Sequence, residues 1–459
     1  MSGSRVGFWF RNDLRVIDNE AWSETMQLGM THLLPFYLHD RETAPVPEGW
    51  LRQCLVDLDH YLGSLDLLVW RDRGRGAGSV ARRVEMVEKL MREYQLDLLV
   101  VNSDPEYLEV DEQLGDRIQS YHGGDLVDRE SWPEKTLDSF SKTRSYLCQD
   151  GRIAAAMAKP RYPSGLHGVP HRGGWDEWKK TERVSLRRSG WATYRAFREQ
   201  IPQFRKPETS PTAIPASTSR LSHYLARGVL GPRELWWRIQ EDCGDLPVDQ
   251  RSYLGQLIWR QMYRFSAYAD PNFHRTKGNR LAESYGYSYR QNRAFRAWRD
   301  GETGYPWIDA IMTQLREEGW IHHLARHATA CFLTRGDLYR HWELGRDVFD
   351  YYLIDRDYSL NNGNWMWVSA VAFFHAYFRV YSPITYARGW DRNGGYVRHY
   401  LPVLEELPAE WIYCPSQAPR EVLQEAGVTL GIDYPEPIVD HDQAKEENMR
   451  KIRRAKETS

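Results

Sequence analysis

Arg5-Val-Gly-Phe-Trp-Phe10 is a short, mostly apolar run of strand length close to the start of the chain. Runs of the same kind recur at His32–Leu38, Leu65–Trp70 and Leu96–Val101, with helical patterns at Leu51–Leu62 and Ser79–Tyr94 between them. Strand alternating with helix over the first ~125 residues predicts an α/β domain: a parallel, doubly wound sheet with helices on both faces. Gly74-Arg-Gly-Ala-Gly-Ser79 sits between a strand and a helix, where a phosphate loop would sit. It lacks the Walker lysine and the dinucleotide-fingerprint spacing, so it reads as a plain flexible loop.

Beyond this region the composition shifts. From Lys135 to Pro207, Gly, Pro, Lys and Arg accumulate, as in Lys159-Pro-Arg-Tyr-Pro-Ser-Gly-Leu-His-Gly168 and Trp178-Lys-Lys-Thr-Glu-Arg183. Such a segment predicts a crossing linker draped over the surface. After Trp191 the pattern is helical to about residue 385. Trp307–Gly319 is one strong helix, with Pro306 at its start and Gly at its end. Ile321–Leu333 is another, and the charged Lys445–Ser459 reads as a frayed terminal helix. The expected division is an α/β domain over 1–130, a linker over 131–207 and a large all-α domain over 208–459.

A chain of 459 residues has ample core for two or three domains. The formal net charge of -2 selects no partner, since a local basic groove on a near-neutral body still binds nucleic acid. The unusual number is 19 tryptophans, alongside 27 tyrosines. Either the core is rich in large aromatics, or indoles serve stacking or electron transfer. Cys54, Cys148, Cys243, Cys331 and Cys414 are scattered with no C-x-x-C, which speaks against a cysteine-built zinc or iron–sulfur site and fits a reducing compartment. The first residues lack a signal peptide's apolar stretch, and no apolar run is long enough to cross a bilayer. The expectation is a soluble, intracellular protein.

Three polar segments carry candidate chemistry. Thr218-Ser-Arg-Leu-Ser222 precedes a helical run, so its hydroxyls either cap that helix or, with backbone N–H groups, meet an anion there. In Trp320-Ile-His-His-Leu-Ala-Arg-His327, His323 and His327 share one helix face. They are polar core residues, a metal pair lacking the glutamate of H-E-x-x-H, or imidazoles that move protons at a buried pocket. Asp355-Arg-Asp-Tyr-Ser-Leu-Asn-Asn-Gly-Asn-Trp-Met-Trp367 crowds carboxylates, carboxamides and indoles together, as a helix start or as a polar cofactor pocket beside an aromatic stack.

In order and spacing these segments resemble the photolyase/cryptochrome family. The resemblance runs over essentially the whole chain: Trp9-Phe-Arg-Asn-Asp-Leu-Arg15 with Asp18-Asn19, Thr218–Ser222, Leu257-Ile-Trp-Arg260, Trp298-Arg-Asp-Gly-Glu-Thr-Gly-Tyr-Pro-Trp-Ile-Asp309, the histidine and asparagine segments, and Tyr400-Leu-Pro-Val-Leu404. It implies an N-terminal α/β domain with an antenna pigment (deazaflavin, methenyltetrahydrofolate or FMN) and a helical domain with a U-shaped FAD. Carried over to this chain, Thr218, Ser219, Arg220, Leu221 and Ser222 wrap the FAD phosphates. Arg326 pairs with Asp355, Asp357 sits against the flavin, and Gln256 and Arg260 line the pocket. Phe204 stands where the family usually has Tyr, so one hydroxyl contact is missing. Asn361 aligns beside flavin N5, where a neutral carboxamide accepts a hydrogen bond from protonated N5 and suits the reduced, repair-competent cofactor.

The same resemblance bears on the lesion. Gln256 stands where dimer-specific enzymes have Glu, His323 where they have Asn and His327 where they have Met, while Ala310–His327 is similar to animal (6-4) photolyases. Reversing a (6-4) adduct moves a hydroxyl group as well as an electron, so a proton donor helps. His323 is expected to protonate the reduced lesion and His327 to tune it. A flipped-out lesion is expected to stack on Trp259 and Trp367 beside Gln256 and His323, with Arg227 or Arg264 on phosphates. Trp365 and Trp342 match the first two links of the family's electron chain, and the outer positions fall at Tyr289 and Tyr339, so its end is tyrosine. The expected function is light-driven repair of UV lesions in DNA, foremost (6-4) photoproducts. The alternatives are cyclobutane pyrimidine dimer repair and a cryptochrome-type blue-light receptor; Asn361 and the short tail after Pro437 favour repair. UV-damaged DNA is the expected partner, with no metal and no membrane. The expectation is a monomer, cytoplasmic if prokaryotic and nuclear if eukaryotic.

Overall fold

The computed structural model describes residues 4–458 apart from 73–77, 129, 135–136, 138, 150, 172–174 and 373–378. Gly74–Ala77 of the glycine-rich loop therefore lie outside the described residues; Ser79 caps the helix Val80–Tyr94 by accepting from Arg82 N–H at 3.3 Å. The described residues form two compact units, one from Met1–Pro207, Ser219–Pro271 and Asp357–Ser359, the other from Glu208–Thr218, Asn272–Arg356 and Leu360–Ser459.

The first unit holds the parallel sheet. Its strands are β1 (Arg5–Phe10), β2 (His32–His39), β3 (Leu68–Arg71), β4 (Leu98–Asn102) and β5 (Ile118–Tyr121), in the order β3-β2-β1-β4-β5, and a short β6 (His167–Gly168) pairs with β2. Phe8 is opposite Pro35 on one side and Val100 on the other. Successive side chains point to opposite faces, so Phe8, Phe10 and Val100 enter one buried cluster while Trp9, Leu34, Phe36 and Val101 enter another. Burial of both faces is why these strands read as near-continuous apolar runs. Ile118-Gln-Ser-Tyr121 gave no such signal, because it is an edge strand that is only partly buried. The third strand starts at Leu68 rather than Leu65: a 3-10 turn occupies Gly63–Leu65 and Asp66 takes φ +49°. The segment expected to drape over the surface is instead anchored in it. Trp175, Trp178 and Tyr194 are buried, and the Trp175 indole donates to Leu67 O at 2.8 Å.

The second unit is helical. Pro306–Glu318 begins with proline at its first turn and ends on Gly319 at φ +65°, as its sequence predicts. On its first turn Asp309 is fully buried. One oxygen accepts from Thr303 N–H (2.8 Å) and Oγ1 (2.6 Å), the other from Gly304 N–H (3.0 Å) and the Tyr434 hydroxyl (2.6 Å). Burial pushes its carboxyl up to about 6, opposed by those donors. Asp309→Asn turns an amide donor toward groups that can only donate there, so thermal denaturation should show a loss of about 1–3 kcal/mol.

The next helix is shorter than the Ile321–Leu333 pattern. It spans His323–Cys331, and Phe332–Gly336 follows as a wider π turn. There Thr334 leaves helical geometry (φ -96°, ψ -106°) while its hydroxyl donates to Ala330 O at 2.7 Å. The terminal helix His441–Thr458 is docked rather than frayed. Ile452 is buried, Asn448 Nδ2 donates to Gly336 O (3.2 Å) and Asp337 O (3.1 Å), and His441 pairs with Asp337 at 2.7 Å. All five cysteines are free. Among the described residues no helix is long and apolar enough to cross a membrane.

Candidate functional site

In the first unit the helix Ser222–Ala226 opens on Leu221 without a side-chain cap, so Thr218–Ser222 does not serve as a hydroxyl cap. The reason lies in the preceding turn. Arg220 takes φ +53°, a left-handed conformation that costs a non-glycine residue about 1–3 kcal/mol and collects at functional turns. Ser219 Oγ accepts from the Tyr253 hydroxyl at 2.8 Å and from Leu221 N–H at 3.4 Å. Phe204 packs edge-on against Tyr253 at 5.3 Å. Tyr253 thus brings a hydroxyl to a segment to which Phe204 cannot.

The helix Tyr253–Ala269 carries three more candidates. Gln256 folds back on its own first turn, Nε2 donating to Ser252 O at 2.9 Å and Gln250 O at 3.3 Å. Trp259 donates to Gln250 O at 3.2 Å and lies 5.0 Å from the Phe140 ring. Arg260 donates to Gly124 O at 2.9 Å and stands 3.9 Å from Asp357. Burial, with Arg264 next to it, lowers the Arg260 pKa, and its Nε is buried with no hydrogen-bond partner among the described residues. Arg260, Asp357, Arg11, Asn12, Asn102 and Asp104 line a polar crevice. It lies at the carboxyl ends of β1 and β4, where the strand order reverses and open parallel sheets bind ligands.

Arg227 and Arg264, expected on DNA phosphates, are both buried. Arg264 is spent on Asp125 (2.5 and 3.1 Å), 139 residues away in sequence, and Arg227 reaches Asn12 Oδ1 at 3.4 Å. Such distant partners are invisible in a local reading.

In the second unit Arg326 Nη2 donates to both oxygens of Asp355 (3.0 and 2.7 Å), the pair expected there. Asn361 is buried and its amide is fixed. The two Nδ2 hydrogens go to Asp350 Oδ1 (2.7 Å) and Arg346 O (3.2 Å), which leaves the carbonyl oxygen as the group on offer. Asp350 in turn is 3.1 Å from Arg356.

The three histidines divide their tasks. His322 is the N-cap of its helix, accepting from Leu324 N–H at 3.1 Å and meeting Thr209 Oγ1 at 3.0 Å. His323 and His327 lie with ring centroids 4.0 Å apart, edge to face. His327 is buried, with the Trp367 ring 4.9 Å and the Tyr381 ring 6.3 Å away. Among the described residues no group of three or more His, Cys, Asp or Glu side chains is placed to hold a metal ion.

Trp342 and Trp365 are buried. The Trp342 indole donates to Thr276 Oγ1 at 3.1 Å. Trp365 packs edge-on against Phe349 (5.0 Å) and Trp298 (6.2 Å), and its Nε1 is buried without a hydrogen-bond partner among the described residues. Gly345, one turn after Trp342 on the helix Trp342–Tyr352, makes room for the Trp365 ring, which a β-carbon there would overlap. Gly345→Ala is expected to cost about 1–3 kcal/mol in thermal denaturation, as overpacking does. Tyr289 stacks on His341 at the surface, and Tyr339 donates to Tyr285 O at 2.7 Å.

Comparison with known proteins identifies the class. Residues 6–130 match the family described as DNA photolyase, and residues 253–454 match the FAD binding domain of DNA photolyase. The chain is 36% identical over 492 residues to the (6-4) DNA photolyase of Oryza sativa subsp. japonica, an alignment covering 96% of this chain and 88% of that protein. It is 32% identical to Cryptochrome-2 of Gallus gallus, covering 97% of this chain and 82% of that protein. The crystal structure of a class III photolyase from Agrobacterium tumefaciens shares the fold, with a TM-score of 0.77 at 24% identity over 100% of this chain and 98% of that one. The chain belongs to the photolyase/cryptochrome family.

Proposed function

We propose that this protein repairs UV-induced pyrimidine lesions in DNA with light, and that the (6-4) photoproduct is its substrate. The observation that carries the reading is the His323–His327 pair, two imidazoles in edge contact with one of them against Trp367. That arrangement offers a proton donor and an aromatic wall for an extruded base. Dimer splitting needs no net proton shift, so a histidine pair has less to do there. When bound, FAD supplies a light-excitable one-electron donor.

The residues present fit such a cofactor. Arg260 Nε and Trp365 Nε1 are buried donors without partners among the described residues. The Asn361 oxygen is held ready as an acceptor, the role that suits a protonated flavin N5. Arg326 with Asp355, Arg260 with Asp357, Gln256, Phe204 and Thr218–Ser222 would hold FAD, with Trp259 and Trp367 on the lesion. Trp365 and Trp342 would pass electrons inward from tyrosine. The polar crevice at the ends of β1 and β4 is where an antenna pigment is to be sought.

The second reading, a signalling cryptochrome, draws on the 32% identity to the chicken protein. One assay separates the readings. Duplexes carrying a (6-4) photoproduct or a cyclobutane dimer are irradiated with the flavin-loaded, reduced protein. Conversion of the first supports the proposal, conversion of the second alone moves the substrate to the dimer, and conversion of neither supports the receptor.

A further inference from the structure

Tyr289 is the exposed end of a packed aromatic row. Its ring lies 3.8 Å from His341, nearly parallel at 12°, and His341 lies 6.0 Å from the Trp342 indole. Trp342 is fully buried, whereas Tyr289 is 54% exposed. Polar contacts tie the same side chains together. Thr276 Oγ1 meets the Trp342 indole N–H at 3.1 Å and His341 Nε2 at 2.7 Å. His341 Nδ1 accepts from Glu343 N–H at 3.2 Å, and Thr276 N–H donates to Glu343 Oε1 at 2.6 Å. With Nδ1 acting as acceptor, the single ring proton sits on Nε2, so the imidazole is neutral. Its pKa is lowered to about 4, chiefly by burial, against the pull of Glu343 and with help from Arg346. The Tyr289 hydroxyl is hydrogen-bonded to Thr276 and Glu343. Burial and then the Glu343 charge raise its pKa.

We infer that Tyr289 is a proton-coupled electron donor that gives its electron across the His341 face to Trp342 and its phenolic proton to the Glu343 carboxylate. This rests on the electron relay proposed above. The oxidant is a light-excited, oxidised flavin, which takes one electron from Trp365. Trp365 is refilled from Trp342, and Trp342 from Tyr289. The O–H bond of Tyr289 breaks and an O–H bond forms on Glu343. The products are a neutral phenoxyl radical, a protonated carboxyl group and a flavin richer by one electron. Without a base, tyrosine could release the electron only as a cation. With Glu343 in contact, the charge left behind is cancelled where it arises, and return of the electron must wait for return of the proton. Tyr339 lacks this device: its hydroxyl donates to a backbone carbonyl, and the Lys451 ammonium stands 4.8 Å over its ring, opposing positive charge there.

The test is transient absorption on the flavin-loaded protein, with a dark titration as an independent readout. In the wild type a tyrosyl radical should replace the tryptophanyl signal, and Tyr289→Phe should remove it. Glu343→Gln should slow tyrosyl formation roughly ten-fold or more, as loss of a positioned base does, and Glu343→Asp should restore part of the rate. In the dark, the tyrosinate titration of Tyr289, taken as wild type minus Tyr289→Phe, should move to lower pH in Glu343→Gln. Flavin-loaded protein that gives no tryptophanyl radical in light would sink the relay as well. Tryptophanyl radicals without a tyrosyl radical in the wild type, or a tyrosyl radical that survives Tyr289→Phe, would sink this inference alone. Unchanged tyrosyl kinetics and an unchanged titration in Glu343→Gln would remove Glu343 as the proton acceptor.

Discussion

His323→Ala should cut light-driven repair of (6-4)-containing DNA by roughly 10²–10⁴-fold, the usual worth of a positioned general acid, while the flavin content of the purified protein stays as it was. The expectation follows from how the two imidazoles are held. His327 is buried with aromatic rings around it, and His323 is its less buried partner 4.0 Å away on the next turn. His322, immediately before, is already committed as the helix cap, so it cannot stand in. Chromatographic release of repaired dinucleotide, scored with flavin absorbance per chain, reads both halves of the expectation. Wild-type repair in His323→Ala would remove the proton-donor role.

Arg326→Leu should lower both stability and flavin occupancy. Arg326 meets both oxygens of Asp355, whose side chain is 4% exposed. Removing one partner of a buried ion pair strands the other and costs about 3–5 kcal/mol. Arg326→Lys keeps the charge but not the shape of guanidinium, so an intermediate occupancy is expected. Thermal denaturation and the ratio of flavin to protein absorbance measure the two effects. A destabilised protein that still carries a full complement of flavin would make the pair structural only.

Much of this architecture could be read from residues in sequence order. The four apolar strands announced themselves because the sheet buries both faces, and Pro306 and Gly319 marked the ends of their helix by backbone chemistry alone. Ile118–Tyr121 was missed because an edge strand needs no apolar run. The docked terminal helix was misread because its buried contacts are only a few, Ile452, Asn448 and His441, in an otherwise charged segment. Individual site residues were legible through resemblance, but their orientation was not. That Asn361 offers its oxygen depends on Asp350 and Arg346, on the preceding helix, and that Arg264 is unavailable to DNA depends on Asp125. Tyr253, Thr276, His341 and Glu343 were overlooked for the same reason. Each matters through a partner that folding supplies, and only the Phe204 substitution hinted that another hydroxyl was needed nearby.

The decisive measurement is a single experiment on the reduced, flavin-loaded protein mixed with a DNA duplex bearing one (6-4) photoproduct, split between blue light and darkness. Restoration of two intact pyrimidines in the lit sample, over several turnovers per protein and with none in the dark, is what the histidine–indole site predicts. A protein that carries flavin and binds the duplex yet leaves the adduct intact under light would contradict it.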